Sequence, residues 1–171
     1  TAAALQSAGV DYTLVLSTVE LPRRAEYEAR GHKILFADIY GIRAKRQWIM
    51  DHTSDAKFVM MDDDLSFYAR SHDGDWSKAT PENIWEMIIE FDHMLADWAH
   101  GGMCEKFMSH TRPRGYDYNK KYYHVLAYNK NLFPHPHPTY RVEIGEDHDM
   151  NLQLLTRGCG NFVLTEYAND D

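Results

Sequence analysis

The run Lys57-Phe58-Val59-Met60-Met61 is followed at once by Asp62-Asp63-Asp64, and nothing else in the chain limits its folding as much. A short, almost wholly apolar run reads as a strand of the kind buried on both faces of a parallel sheet. Three consecutive carboxylates repel one another and resist burial. The strand must therefore end where they reach solvent or a counter-charge. In an open α/β sheet that place is the crevice outside the carboxyl ends of the strands, where ligands bind. Alternate residues of an extended segment face the same side, so Asp62 and Asp64 could serve one site. A hard divalent cation, Mg²⁺ or Mn²⁺, would offset the crowding, since such ions take carboxylate oxygens and complete their shell with phosphates. The plainer alternative is a solvated acidic turn.

Around this feature, strands and helices alternate. Ala2 to Ala8 reads as the end of a helix, Asp11 to Ser17 as a strand, Leu21 to Arg30 as a short helix and Lys33 to Asp38 as a strand. Ile42 to His52 is the helix that leads to the acidic strand. This exchange predicts βαβ units, hence an α/β fold with a mostly parallel, doubly wound sheet flanked by helices. Thr80-Pro81 opens a further helix, with Ile84, Met87, Ile88, Phe91, Met94, Leu95 and Trp98 as its packing stripe and Gly101-Gly102 as its stop. Glu105 to His110, Tyr122 to Tyr128 and Asn161 to Tyr167 read as strands, and Asp147 to Arg157 as a helix. Residues 1–171 form one domain, with no repeat or linker. A doubly wound sheet usually begins with a strand, whereas Thr1 opens on a helix and the last strand runs into Asn169-Asp170-Asp171. A first strand and a C-terminal tail are therefore expected to be missing from this chain.

A second acidic cluster, Gly145-Glu146-Asp147-His148-Asp149, stands at the start of the late helix. Carboxylates there are stabilised by the helix dipole and can cap free N–H groups. Capping accounts for one or two of them. If this turn faces the first cluster, a carboxylate could serve as general base toward an incoming hydroxyl. Arg43, Lys45 and Arg46 lie near the start of the helix before the acidic strand, with 43 and 46 on one face, and guanidinium groups suit phosphate recognition. A solvated basic face explains the trio equally well. Arg112-Pro113-Arg114 with Lys120-Lys121 and several tyrosines could contact a sugar or a nucleic acid, or form an exposed loop.

Other chemistries are disfavoured. Cys104 and Cys159 lack CxxC spacing and allow at most one disulfide, which suits a reducing, cytoplasmic setting. His135 and His137 in a Pro-rich tract read as a turn, and Asp73-Gly74-Asp75 lacks the terminal Glu of an EF-hand. There is no P-loop and no G-x-S-x-G elbow. No apolar run approaches the length of a membrane span. The net charge of -8 excludes a protein held to nucleic acid by bulk charge alone. Local basic stretches remain: residues 104–132 hold six Lys or Arg against two Asp or Glu.

Taken in order, these residues resemble a glycosyltransferase of the GT-A fold. That family carries Asp-x-Asp at the end of an apolar strand, here Asp62-Asp63-Asp64, and an Ala-Arg-Asn-like segment on the helix before it. Lys45-Arg46-Gln47 stands in that place, Arg46 matching and Gln47 departing from the usual Asn. Glu146-Asp147 matches the family's Glu-Asp at a later helix start. The pattern is also similar to bacteriophage glycosyltransferases associated with TET-like hydroxylases, which decorate hydroxymethylated bases in DNA. The resemblance implies a nucleotide-sugar donor, most readily a UDP-sugar, with Mn²⁺ or Mg²⁺ held by Asp64 and by Asp62, which would otherwise bind the nucleoside. Arg43, Arg46, Asp62 and Asp63 would contact the donor. Asp147, or else Glu146, would be the base of an inverting enzyme. It further implies DNA as the acceptor, host cytoplasm as the location of a viral enzyme, and no membrane or obligate protein partner. A phosphoesterase or nuclease using the same acids, or an inactive nucleotide-sugar-binding module, are the alternatives.

Overall fold

The computed structural model describes residues 1–107 and 113–171. Helix α1 (Ala2–Ser7) precedes strand β1 (Leu14–Ser17), a 3-10 turn (Thr18–Arg23), α2 (Arg24–Ala29) and β2 (Ile34–Ala37). β1 and β2 pair in parallel as a separate two-stranded sheet, the arrangement expected when a helix crosses over between strands. Then follow α3 (Ile42–His52), β3 (Lys57–Met61), β4 (Ser66–Arg70), β5 (Trp76–Lys78), α4 (Pro81–Met94), β6 (His100–Glu105), β7 (Tyr116–Tyr118), β8 (Val125–Asn129), α5 (Glu146–Thr156) and β9 (Asn161–Asp170).

The larger sheet has the order β3-β8-β6-β9-β4-β5, with β7 also paired to β9. Among the described residues only β6 and β9 run parallel in it, and every other pair is antiparallel. The mostly parallel, doubly wound sheet expected from the alternation is thus corrected. The alternation holds through β3, but β3 leaves the first sheet and joins β8 in reverse. β4 and β5 are joined by the tight turn Ser71–Asp75, too short for a crossover. The Asp73-Gly74-Asp75 segment is that turn, with Gly74 at φ +95°.

β3 occupies an edge, and only Met60 of its five residues is buried. The strand buried on both faces is β8, where all five residues are buried. Its alternation divides the core. Leu126 and Tyr128 pack with Met50 of α3 and Met150 and Leu154 of α5. Val125 and Ala127 pack with Leu5 of α1 and Ile84, Met87 and Phe91 of α4. Helices therefore cover both faces of a mixed sheet.

The N-terminus of α4 has the expected Thr80 cap, closed as a box by Asn83. The helix stops at Met94, ahead of Gly101-Gly102, which lie inside β6. Glycine is required there for close approach. A Cβ on Gly101 would stand 2.4 Å from the Phe162 ring, and one on Gly102 would stand 2.3 Å from the Tyr122 ring. Of the strand expected over Glu105 to His110, only its first residue is in β6, and residues 108–110 lie outside the described residues, as does Arg112.

Candidate functional site

The acidic end of β3 does not continue as extended chain. Residues 62–65 turn, so the alternation that would have aligned Asp62 with Asp64 does not apply. The Thr1 hydroxyl pins this turn, donating to the Asp62 carbonyl at 2.7 Å and accepting from the Leu65 N–H at 2.8 Å. The result separates the three carboxylates. Asp62 is half-buried and points to protein partners, while Asp63 and Asp64 are exposed.

Arg46, one turn into α3, organises the centre. Its side chain is only 5% exposed. Nη2 donates to Asp62 Oδ1 at 2.9 Å and Nη1 to Glu146 Oε1 at 2.6 Å. Asp147 Oδ2 lies 3.9 Å from Nη1. Burial alone would lower the Arg46 pKa. The carboxylates of Asp62 and Glu146, the nearby Tyr140 and the Asp62 hydrogen bond outweigh it and hold the guanidinium above its ordinary value. One cation thus joins the two acidic clusters, which lie far apart in sequence. Glu146 and Asp147 open α5 after Gly145, whose φ of +72° makes the sharp entry, and the helix dipole favours carboxylates there.

His124 completes the first cluster. Its Nδ1 lies 2.8 Å from Asp62 Oδ2, its Nε2 lies 3.6 Å from Glu105 Oε1, and its carbonyl accepts from the Asp62 N–H at 3.1 Å. Its backbone is left-handed, φ +60°, an unfavourable conformation for a side-chain-bearing residue.

These groups line one cavity of about 480 Å³. Asp62, Asp63, Asp64, Glu146 and Asp147 all line it, together with Arg46, Tyr123, His124 and His148 and with Ile42 and Asp171. Tyr123 and His148 meet edge to face, with ring centroids 4.5 Å apart. Of the residues singled out in the sequence, Arg46, all three aspartates, Glu146 and Asp147 come together. Arg43 does not: it pairs with Glu143 and is absent from the cavity wall. His135 and His137 stack on each other elsewhere. Tyr123, His124 and His148 were not anticipated.

The chemistry of the wall is divided. Both oxygens of Asp62 are engaged, by Arg46 and by His124, which makes Asp62 an anchor. Asp63 and Asp64 are exposed on the same wall and carry no side-chain hydrogen bond among the described residues. No group of three or more His, Cys, Asp or Glu side chains among the described residues comes together as a metal cage. Two open carboxylates fit a hard cation whose other ligands are phosphate oxygens.

Comparison of the whole chain with known families adds an independent finding. The family model described as TET-Associated Glycosyltransferase matches residues 2–170. The chain belongs to that family. No curated protein and no solved structure matches it. As a TET-Associated Glycosyltransferase family member, the chain places its acidic motifs, Asp62 to Asp64 and Glu146-Asp147, around a single opening. No helix among the described residues is long and apolar enough to cross a membrane.

Proposed function

We propose that this family member moves a sugar from a nucleotide-sugar donor, a UDP-sugar, to the hydroxyl of a hydroxymethylated base in DNA. The observation that carries the reading is the convergence of Asp64 and Asp147 on one cavity, with Arg46 bridging their two segments. A donor diphosphate has to be neutralised, and an acceptor hydroxyl has to lose a proton. The cavity offers a separate group for each task.

Asp64, assisted by Asp63, would hold Mn²⁺ or Mg²⁺ together with the donor phosphates. Such an ion stabilises the charge that grows on the departing diphosphate. Asp147, which lines the same cavity, is the group to accept the acceptor's proton. Glu146 is less suited to that task, because Arg46 holds its Oε1 at 2.6 Å and its side chain is buried. Arg46 itself is nearly inaccessible, so its part is to fix Asp62 and Glu146. The family assignment favours transfer over phosphoester cleavage by the same acids.

The test has two arms. Calorimetry with UDP- and GDP-sugars plus Mn²⁺ should give heat for the wild type and none for Asp64→Ala at unchanged melting temperature. Mass spectrometry of hydroxymethylated DNA incubated with the binding donor should show one added hexose mass, lost in Asp147→Asn while donor binding persists. No heat with any donor, or DNA cleavage without sugar transfer, would sink the reading.

A further inference from the structure

Two rings of the cavity wall, Tyr123 and His148, take no part in the Arg46 bridge. They come from different parts of the chain, the loop before β8 and the first turn of α5, and meet edge to face. Both are half-buried. Among the described residues, neither the Tyr123 hydroxyl nor either ring nitrogen of His148 has a hydrogen-bond partner. Polar atoms that reach a cavity without a protein partner are left to solvent or to a ligand.

The fold holds this pair in place. Asn119 and His124, at φ +55° and +60°, bend the chain at the two ends of segment 119–124. Between them the Lys120 backbone is clamped. Its N–H donates to Asn161 Oδ1 at 3.0 Å, and its carbonyl accepts from Asn161 Nδ2 at 2.7 Å and from Asn151 Nδ2 at 3.2 Å. Asn161 is fully buried and also donates to Asn151 Oδ1 at 2.6 Å. Tyr122 is buried, with its hydroxyl 2.7 Å from His100 Nδ1, and His124 is tied to Asp62. Tyr123 thus stands between two anchored residues. Its ring is further confined by His148 and by Lys121 Nζ, 5.3 Å from the ring centre. A ligand that meets a pair already in position loses little entropy in ordering it.

We propose that Tyr123 and His148 bind the acceptor, hydrogen-bonding the polar edge of the hydroxymethylated base while its hydroxyl lies at Asp147. The proposal rests on the acceptor reading above and names the residues that select the base. Position along the chain supports it. His148 follows Asp147 directly, and its N–H donates to Asp147 Oδ1 at 2.7 Å. The hydroxyl of a hydroxymethyl group is one carbon from the ring that carries it, so a hydroxyl delivered to Asp147 brings its base beside His148. The donor's own base stands off from the reacting carbon by a ribose and two phosphates. The chemistry agrees. A phenol and an imidazole each donate and accept, which suits the mixed donors and acceptors of a base edge. That edge is free in an unpaired base, the form on which enzymes that modify single bases act. The carboxylates of Asp63 and Asp64 only accept, and suit a cation instead.

The experiment uses the full chain and two short, fluorescently labelled single strands. One carries a single hydroxymethylated base with abasic sugars on either side, and the other is abasic throughout. Their phosphates are the same, so at fixed salt the ratio of affinities isolates the base contact. By anisotropy the wild type should favour the base-bearing strand about tenfold, and Tyr123→Phe, which keeps the ring and its packing, should lower that ratio about threefold. The double variant Y123F/H148F should bring it within about twofold of unity. His148→Gln, which puts back a donor and an acceptor, should keep more of the ratio than His148→Phe, an order that a merely structural role would not produce. Donor affinity by calorimetry should be the same in every variant. A ratio of one in the wild type, whether both strands bind or neither does, would overturn the proposal, as would an unchanged ratio in the double variant. Loss of donor affinity in Tyr123→Phe at unchanged melting temperature would overturn it too, by assigning the ring to the donor. If the ratio depends on these two residues but no sugar reaches the base, the transfer reading fails and the base site stands.

Discussion

Arg46→Ala should be the most damaging single substitution in the cavity wall. The Glu146 arm of its bridge is buried at both ends, with side chains 5% and 8% exposed. Removing one partner of such a pair leaves an uncompensated buried charge and costs about 3–5 kcal/mol. The Asp62 arm contributes less, because Asp62 is 23% exposed and keeps its contact with His124. An ion pair reached by solvent is worth about 1 kcal/mol or less. The total stays near 3–5 kcal/mol, most of it owed to Glu146. In a chain of this length each kcal/mol moves the melting temperature by about 2–4 °C, so a fall of roughly 6–20 °C is expected. Urea unfolding should show the midpoint falling at unchanged slope. The pairing is separable by a cycle: Arg46→Met/Glu146→Gln should recover about 1–3 kcal/mol relative to the sum of the single changes. Arg46→Lys should lie between wild type and Ala, since a single ammonium cannot reach both carboxylates in the fork geometry of a guanidinium. An Arg46→Ala protein within 1 kcal/mol of wild type, or a cycle with no coupling, would refute the bridge and with it the account of how the two clusters are held together.

Asp64→Asn changes an exposed side chain and should leave stability within about 0.5 kcal/mol of wild type while abolishing Mn²⁺-dependent donor binding, read by calorimetry beside a thermal melt. Asp147→Asn should lower kcat by about 10²- to 10⁴-fold with donor affinity retained, and steady-state transfer assays would check it. Gly102→Ala should destabilise by at least 1–3 kcal/mol in urea, because its Cβ meets the Tyr122 ring at 2.3 Å and the Val125 carbonyl at 2.7 Å, one of them backbone that cannot swing aside. His100 is fully buried; burial pushes its pKa down to about 4, opposed by its contact with the Cys159 carbonyl. Between that value and an unfolded value near 6.5, the unfolded chain binds the extra proton, so stability should fall by about 3 kcal/mol as pH drops through this window. His100→Asn should flatten that part of the profile in pH-dependent urea unfolding.

Much of the site was legible because its signals are local. An apolar run ending in aspartates marks where a strand stops, and a glycine before two acids marks a helix start. Both boundaries fall where the sequence places them or within a residue. Strand partners are another matter. Hydrophobic periodicity identifies a strand without naming its neighbour, so the βαβ inference holds for β1 and β2 and fails from β3 onward. Gly101-Gly102 imitates a helix stop because glycine also serves where a ring crowds the backbone, and the rings come from Phe162 and Tyr122, distant in sequence. The β4–β5 hairpin was not read, although Phe67 and Ala69 alternate with polar or large residues ahead of Asp73-Gly74, a turn signal that the comparison with a calcium loop obscured. Nor was His124. Its contribution depends on a left-handed backbone and on Asp62 from the turn after β3, and no short-range pattern encodes either.

The division of labour among the acids follows from burial. A cavity lined by six carboxylates would repel itself if all were equally exposed or equally buried. The fold avoids both extremes by sinking one guanidinium beneath two of them. Arg46 and His124 take up Asp62, and Arg46 takes up Glu146, so these two carboxylates already have partners before any ligand arrives. Asp63 and Asp64 stay exposed, where solvent bears the cost of their charge. Asp147 lies between these groups: its Oδ2 is 3.9 Å from Arg46, beyond a hydrogen bond, and its Oδ1 accepts from the His148 N–H at 2.7 Å. One oxygen thus orients the group, and the other carries no hydrogen bond among the described residues. The start of α5 therefore holds its two carboxylates differently: Glu146 is locked to Arg46, and Asp147 is engaged through Oδ1.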